Sequence, residues 1–358
     1  MKIAVLGVGL IGGSIGMAAR RRLDAEVAGY DPDPAVSDKA LELGAIGEAS
    51  VSVPEAVDGA ELVFCAAPVA ALPGLVAEAL DATGEGTVVT DVGSTKRLLL
   101  GEFSSQPRFV GGHPLAGAET AGVANAHAEL FEGARWYLTP TAKTEGILYD
   151  RLQRAIGDFG ARPQAIEAED HDRLMATVSH LPHVLANVLV SQAAEELRGE
   201  SERLPEVGPS FRDTTRVAGA NPPIWADIFA TNSDAVAAEI DGVIERLQEA
   251  AKLLRDGDND ALEAWHQDAG ESRRELIEAA STGGELRELR IRVPNRPGIV
   301  AELALALGNA AVNIEDMALY PAADMRSGAI SVWVAGREEA ERAAALVRDL
   351  GHDASIVE

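Results

Sequence analysis

Fifteen residues at the start of the chain, KIAVLGVGLIGGSIG (2–16), constrain its fold more than any other stretch. A short apolar run of strand length ends in Gly7-x-Gly9-x-x-Gly12, and a helical pattern follows. Asp31 closes the next strand pattern, EVAGY (26–30), about twenty residues on. Strand, glycine turn, helix and acid in this order form a dinucleotide-binding unit. Gly7 permits the tight turn and Gly9 lets a pyrophosphate approach the backbone. Gly12 lets helix and strand pack closely, and the helix start at Leu10 and Ile11 offers N–H groups to the phosphates. Asp31 would accept hydrogen bonds from both ribose hydroxyls and repel a 2′-phosphate, which favours NAD over NADP. Ala67 and Pro68, just after the strand pattern LVFCA (62–66), would pass along the cofactor at the carboxyl edge of the sheet.

The same alternation runs through residues 1–166. Strand patterns stand at 2–6, 26–30, 62–66, 87–91, 108–112, 135–139 and 161–166, with helices at 10–22, 69–81, 95–103 and 144–159 between them. Several strands are apolar throughout, as burial on both faces requires. This predicts a Rossmann-type doubly wound α/β domain. From 167 to 280 helical periodicity dominates, and Val236, Ile240, Val243, Leu247, Ala250 and Leu254 form one stripe. That predicts an all-α substrate and dimerisation domain. STGGE (281–285) reads as a linker. Residues 286–358 follow the order βαββαβ, a ferredoxin-like arrangement.

The net charge of −26 argues against nucleic acid or an anionic membrane as partner. No apolar run approaches the length that spans a bilayer, and the glycine-broken start is not a signal peptide. One cysteine cannot form an internal disulfide, so a cytoplasmic location is expected. Cys65 itself reads as a small buried hydrophobe. Because a nicotinamide cofactor is also an anion, its site must rely on helix N-termini and a few local cations.

The chemistry is concentrated in TDVGSTK (90–96) and GGHPLAGAETAG (111–122). Ser94 follows one strand and His113 the next. If those strands are parallel neighbours, both side chains emerge at the cofactor's edge of the sheet. A second cluster is SHLPH (179–183) with FRDTTRVAGANPPIW (211–225). His180 and His183 are three apart and share a helix face, with Pro182 kinking that helix or marking its first turn. Arg216 supplies a fork suited to a carboxylate. No third ligand accompanies the H-x-x-H pair, so no metal is expected. His127, His171, His266 and His352 read as solvated or local, and Trp225 as core.

With these pieces in order and at family-like spacing, residues 1–280 resemble the prephenate dehydrogenase family. The last 73 residues resemble an ACT domain through PNRPGIVAEL and VNIEDM. The first resemblance implies NAD-dependent oxidative decarboxylation of prephenate to 4-hydroxyphenylpyruvate, a step toward tyrosine. It implies His113 as proton acceptor and Ser94 as its partner at the reacting hydroxyl. Arg216 and His183 would anchor the substrate's carboxylates, with His180 nearby, Glu119 as an orienting group or gate, and Asp213 behind Arg216. The second implies an amino-acid effector, tyrosine, near Asn295, Gly298 and Asn313, and pairing into a homodimer. Arogenate as substrate, a hydroxyacid dehydrogenase and a non-catalytic NAD-binding sensor are the rival readings. The hydroxyacid rival lacks its usual lysine, since Lys252 is the sole lysine after residue 143 and sits on an amphipathic helix.

Overall fold

The structure, a computed structural model, describes residues 1–117, 120–197, 207–280, 286–294, 296, 299–310, 312–322 and 327–357. The chain divides into two compact units, 1–245 and 246–358.

In the first unit, eight strands form one sheet: β1 (Lys2–Leu6), β2 (Glu26–Tyr30), β3 (Glu48–Ala49), β4 (Leu62–Cys65), β5 (Val88–Asp91), β6 (Phe109–Pro114), β7 (Arg135–Thr139) and β8 (Arg162–Ala165). Their spatial order is β3-β2-β1-β4-β5-β6-β7-β8. The first six run parallel, and β7 turns antiparallel to β6. The order of the strands switches between parallel β1 and β4, the chain going outward to β2 and β3 on one side and to β4 and β5 on the other, the place where such folds open a ligand crevice.

Both faces of the central strands are buried. Along β1, Ile3 and Val5 enter one core with Phe64, Trp136 and Phe159, while Ala4 and Leu6 enter another with Val63, Leu72 and Val89. The period-two alternation therefore meets apolar neighbours on either side, which is why these strands read as unbroken apolar runs. Each such large side chain contributes roughly 1.5–3 kcal/mol on burial. The edge strand β8 is mostly exposed, and its composition is correspondingly polar.

Helices α1 (Leu10–Leu23), α2 (Pro34–Glu42), α3 (Val53–Val57), α4 (Leu72–Ala82), α5 (Arg97–Phe103) and α6 (Gly146–Asp158) connect the strands. The sequence pattern misses α2, α3 and the two-residue β3. Their start signals were present: Asp33 caps Ala35 with Pro34 in the first turn, and Ser52 caps Glu55. The pattern also ends β6 too early. His113 lies inside β6, opposite Tyr137 of β7, rather than beyond its end.

After the sheet come α7 (Ala168–Met175), α8 (Leu181–Leu197), α9 (Pro209–Thr214), α10 (Pro222–Thr231), α11 (Ser233–Asp256) and α12 (Asn259–Ala280). A π turn at Ala176–His180 joins α7 to α8 without a break. Pro182 stands two residues after its end, where a ring without an N–H would press on the carbonyl four residues back in a regular α-helix. The continuous helix Ala168–Leu197 is 30 residues long, with mean hydropathy 1.3 over its most apolar 18. By length and composition it could cross a bilayer, contrary to the expectation that no segment could. Its first half is held against the sheet domain through buried His171, Asp172, Met175 and His180, and 28% of that apolar window is buried. In α11 the apolar stripe begins buried at Val236 and ends with Leu247 and Leu254 more than half exposed.

The second unit carries β9 (Leu286–Pro294), α13 (Ile299–Asn309), β10 (Asp316–Pro321), β11 (Ser327–Ala335), α14 (Arg337–Asp349) and β12 (Asp353–Val357). The sheet is antiparallel throughout, in the order β10-β11-β9-β12. Leu289, Ile291, Leu303, Leu307, Val332 and Val347 close its core against the two helices. The βαββαβ order expected from the sequence is the order observed. The linker 281–285 lies outside the described residues.

Candidate active site

The glycine turn explains itself at two of its three positions through protein contacts. Gly7 has φ +92°, and a Cβ there would sit 2.4 Å from the Ala66 carbonyl oxygen. A Cβ on Gly12 would sit 1.9 Å from the Gly7 carbonyl oxygen. A Cβ on Gly9 would meet nothing within 4 Å. Packing within the protein does not require a glycine at 9, and the space over it is open. Gly9 is the N-cap of α1, no side chain caps that end, and no acidic residue occupies the first turn. The helix start with Leu10 and Ile11 is thus suited to an anion. Asp31 sits beside it. One of its carboxylate oxygens accepts from the Val8 N–H at 3.1 Å and the other from the Asp33 N–H at 3.1 Å. Ala67 and Pro68 follow β4 on the other side of Gly7, half-buried and exposed respectively. These residues fit a dinucleotide: open space over Gly9, uncapped N–H groups and an acid at the end of β2.

Next along the sheet, β5 and β6 are parallel neighbours. Between β5 and α5 the chain is pinned by buried groups. Lys96 Nζ pairs with the Asp91 carboxylate and also donates to the Gly112 carbonyl oxygen at 2.7 Å. Asp91 accepts in turn from the Gly93 and Gly112 N–H groups at 2.7 and 3.0 Å. Burial pushes the Lys96 ammonium down and the Asp91 charge opposes that shift. The residue to which the sequence assigned no chemistry thus holds two strand ends together, and with them Ser94 and His113.

Ser94 and His113 line one cavity of about 300 Å³, together with Met175, His180, Trp225 and Ile228. A larger hollow of about 800 Å³ lies elsewhere, near Met17, Arg20 and His127, away from these groups. The ring of His113 is almost fully enclosed. Burial, then the neighbouring His171, Lys96 and His180, hold it well below the usual imidazole range. It is neutral at working pH. Its Nδ1 lies 2.9 Å from Nε2 of His171, and the Nδ1 of His171 lies 2.8 Å from the Asp172 carboxylate. That carboxylate also accepts from the Lys96 and Arg97 N–H groups at 2.7 and 2.9 Å.

His171 corrects the sequence reading. It is fully buried, with the Tyr137 ring edge-on at 5.6 Å, and is not solvated. It sits in the acidic run EAEDHDR, which reads as surface. The available signal was helical spacing: His171, Met175 and Val178 share a face, and the latter two line the cavity. His352 is likewise not simply solvated, because its Nε2 meets Glu302 at 3.3 Å.

His180 is buried, and its pKa is lowered to about 4, chiefly by burial. Asn232, unremarked in the sequence, brings its amide nitrogen to His180 Nδ1 at 3.2 Å and to the Asp172 carbonyl oxygen at 2.7 Å. Trp225 is more than core. It lines the cavity, and the His183 ring stacks on it with centroids 3.4 Å apart and planes at 25°. His183 is half-buried and does not line the cavity itself. Burial lowers its pKa, a backbone hydrogen bond with Val217 raises it, and the Arg216 charge lowers it. Arg216 is exposed just beyond α9, and its charge acts on His183. Asp213, on α9, is exposed. Glu119 lies outside the described residues. So do Asn295 and Gly298 in the second unit, while Asn313 is exposed and donates to Glu315 at 2.7 Å. Among the described residues, no group of three or more His, Cys, Asp or Glu is arranged to hold a metal.

Comparison with known proteins agrees with this layout. Residues 15–164 match the model for the nucleotide-binding domain of prephenate dehydrogenase, and 167–268 the model for its dimerization domain. The four-stranded sheet lies outside both. A prephenate dehydrogenase of Bacillus subtilis is 29% identical over 350 residues, covering 95% of this chain and 94% of that protein. A cyclohexadienyl dehydrogenase of Zymomonas mobilis is 33% identical, covering 73% of this chain and 90% of that one. Among solved structures, prephenate dehydrogenase from A. aeolicus in complex with hydroxyphenyl propionate and NAD+ superposes with a TM-score of 0.72. It is 31% identical and covers 77% of this chain and 98% of its own.

Proposed function

The chain belongs to the prephenate dehydrogenase family, and on that premise we propose that it oxidises prephenate to 4-hydroxyphenylpyruvate and carbon dioxide with NAD as acceptor. The observation that carries this reading is His113: a buried, neutral imidazole in a cavity that Ser94 also lines, on the strand next to β5 in the dinucleotide-binding sheet.

Bound NAD would supply the hydride acceptor, facing the carbon that bears the ring hydroxyl. As that carbon loses its hydride, the hydroxyl proton moves to the His113 imidazole. The ring carboxylate then leaves as carbon dioxide, and its bonding pair restores the aromatic ring. The oxygen thereby gains negative charge and takes the proton back from His113, giving a phenol. Ser94 hydrogen-bonds the reacting hydroxyl or the imidazole and keeps them in register. General-base help of this kind is typically worth about 10²–10⁴ in rate. Positioning supplies much of the remainder, since aromatisation already makes the step downhill. Arg216 and His183 anchor the carboxylates, and the arginine offsets a protein field of net charge −26. Glu119 serves as an orienting group for its neighbours or as a gate.

Arogenate differs from prephenate only in its side chain and is the second substrate to test. Steady-state rates of NADH and NADPH formation from both acids decide the matter. Faster turnover of arogenate overturns the substrate assignment, and no turnover of either overturns the activity.

In the same reading the protein works as a cytoplasmic homodimer. Val188, Leu189 and Val190 on α8 and Leu247 and Leu254 on α11 leave apolar surface that a second copy would cover. The C-terminal unit acts as an ACT-like regulatory domain that binds tyrosine near Asn295, Gly298 and Asn313. Its βαββαβ order and antiparallel sheet support that reading.

A further inference from the structure

We propose that Asp172 anchors a hydrogen-bond network that fixes opposite tautomers on His113 and His180, so that the cavity presents one acceptor and one donor nitrogen to a substrate hydroxyl. The inference rests on the reading of His113 as proton acceptor.

The first arm runs through His171. Both carboxylate oxygens of Asp172 already accept backbone N–H groups, from Lys96 and Arg97. A carboxylate so placed can only accept, so the His171 Nδ1 at 2.8 Å carries a proton. When this is the one proton on the His171 ring, its lone pair lies on Nε2. The His113 Nδ1 at 2.9 Å must therefore donate to it. That leaves the lone pair of His113 on Nε2, the nitrogen available to the cavity.

The second arm runs through Asn232. The Asp172 carbonyl oxygen can only accept, so the Asn232 group 2.7 Å away is its NH2. The other hydrogen of that NH2 is directed to His180 Nδ1 at 3.2 Å, which therefore accepts. Neutral His180 then carries its proton on Nε2. Asn232 keeps this orientation although its Oδ1 is buried without a partner. Such an atom costs stability, so the amide is held by the demands of Asp172 and His180 rather than by its own satisfaction.

A hydroxyl suits both nitrogens at once, donating to His113 Nε2 while accepting from His180 Nε2–H. After its proton moves, the oxygen keeps the second hydrogen bond. The charged and titratable groups around the two rings are Lys96 and Asp91 beside α5, His171 and Asp172 on α7, Tyr137 on β7 and His183 on α8. Burial holds both rings in the neutral form that tautomerism requires. His171, Asp172 and Asn232 are positioning residues here, in the way that groups behind a ligating or catalytic histidine fix its ring and proton.

Nitrogen-15 NMR of histidine-labelled full-length protein, with His113→Asn and His180→Asn to assign signals, reads the tautomers without any need for activity. The expected result is a protonated Nδ1 on His113 and a protonated Nε2 on His180. A protonated Nε2 on His113, as a doubly protonated His171 would impose, overturns the proposal. So does a protonated Nδ1 on His180. Kinetics supply the second test. His171→Phe should lower kcat about 10–100-fold with little change in KM. His171→Gln, whose carbonyl oxygen can still accept from His113, should recover most of that loss. Equal rates in the two variants overturn the proposal. Wild-type protein inactive on prephenate and arogenate would remove the proposed function, while the tautomers would still decide this inference.

Discussion

Lys96 and Asp91 form an ion pair in which neither side chain has any solvent exposure. Lys96 ties this pair to the Gly112 carbonyl, and its own N–H ties the same segment to Asp172. Removing one partner leaves a buried charge without compensation. Lys96→Met should destabilise the protein by about 3–5 kcal/mol, and Asp91→Asn/Lys96→Met together should cost less than the single change. Thermal or denaturant unfolding of wild type and the two variants checks this; a double variant less stable than Lys96→Met would contradict it.

His113→Asn should reduce kcat by about 10²–10⁴ and leave NAD affinity nearly unchanged. Stopped turnover with intact NAD binding, measured by fluorescence titration, is the expected pair of results. Near-normal turnover would take His113 out of the chemistry.

The glycine turn separates stability from binding. Gly12→Ala should unfold the protein more easily, because its Cβ would collide with the Gly7 carbonyl oxygen. Gly9→Ala meets open space and should leave Tm unchanged while weakening NAD by at least about tenfold, roughly 1.4 kcal/mol. Parallel melting curves and NAD titrations distinguish the two. An unaltered NAD affinity in Gly9→Ala would argue against phosphate contact there.

The pH dependence follows from the two depressed imidazoles. His113 must be neutral to accept a proton, so the acid limb of kcat/KM should fall well below pH 6.5, with a plateau above it. For stability the sign is the same. Below 6.5 the unfolded chain binds protons that folded His113 and His180 refuse, so folding weakens as pH drops from 6.5 toward about 4. Replacing His180 with Asn should flatten part of that loss, on the order of 1–3 kcal/mol, in urea melts across pH 4–7.

If the C-terminal unit binds tyrosine as proposed, ending the chain at residue 284 should abolish inhibition by it and keep measurable dehydrogenase activity. Inhibition that persists in the folded, shortened protein would move the effector to the catalytic cavity.

The large features of the fold were legible because central strands buried on both faces leave uninterrupted apolar runs. Short elements such as β3 and α3 bury too few residues to leave that mark. The nucleotide turn was legible because three glycines, a helix and Asp31 depend on local geometry alone. Ser94 and His113 could be brought together from chain order, since parallel neighbours expose their ends at one edge. His171, Asp172 and Asn232 were not legible. Their roles come from contacts 58 to 76 residues apart along the chain. Within its own stretch an acidic, His-containing run looks like solvated surface. Trp225 was read as core because its partner, His183, arrives from another helix.

The π turn at Ala176–His180 has a consequence for which side of the helix faces inward. At roughly 100° per residue, a position nine residues after His171 would point to the opposite side of a regular α-helix. The wider loop of backbone takes up part of that angle, so His180 swings back toward the sector that His171 occupies. Regular winding over the same nine residues would instead carry His180 out of reach, even with every side chain of the cavity retained. The widened turn between 171 and 180 therefore matters to the cavity as much as the two imidazoles it brings together.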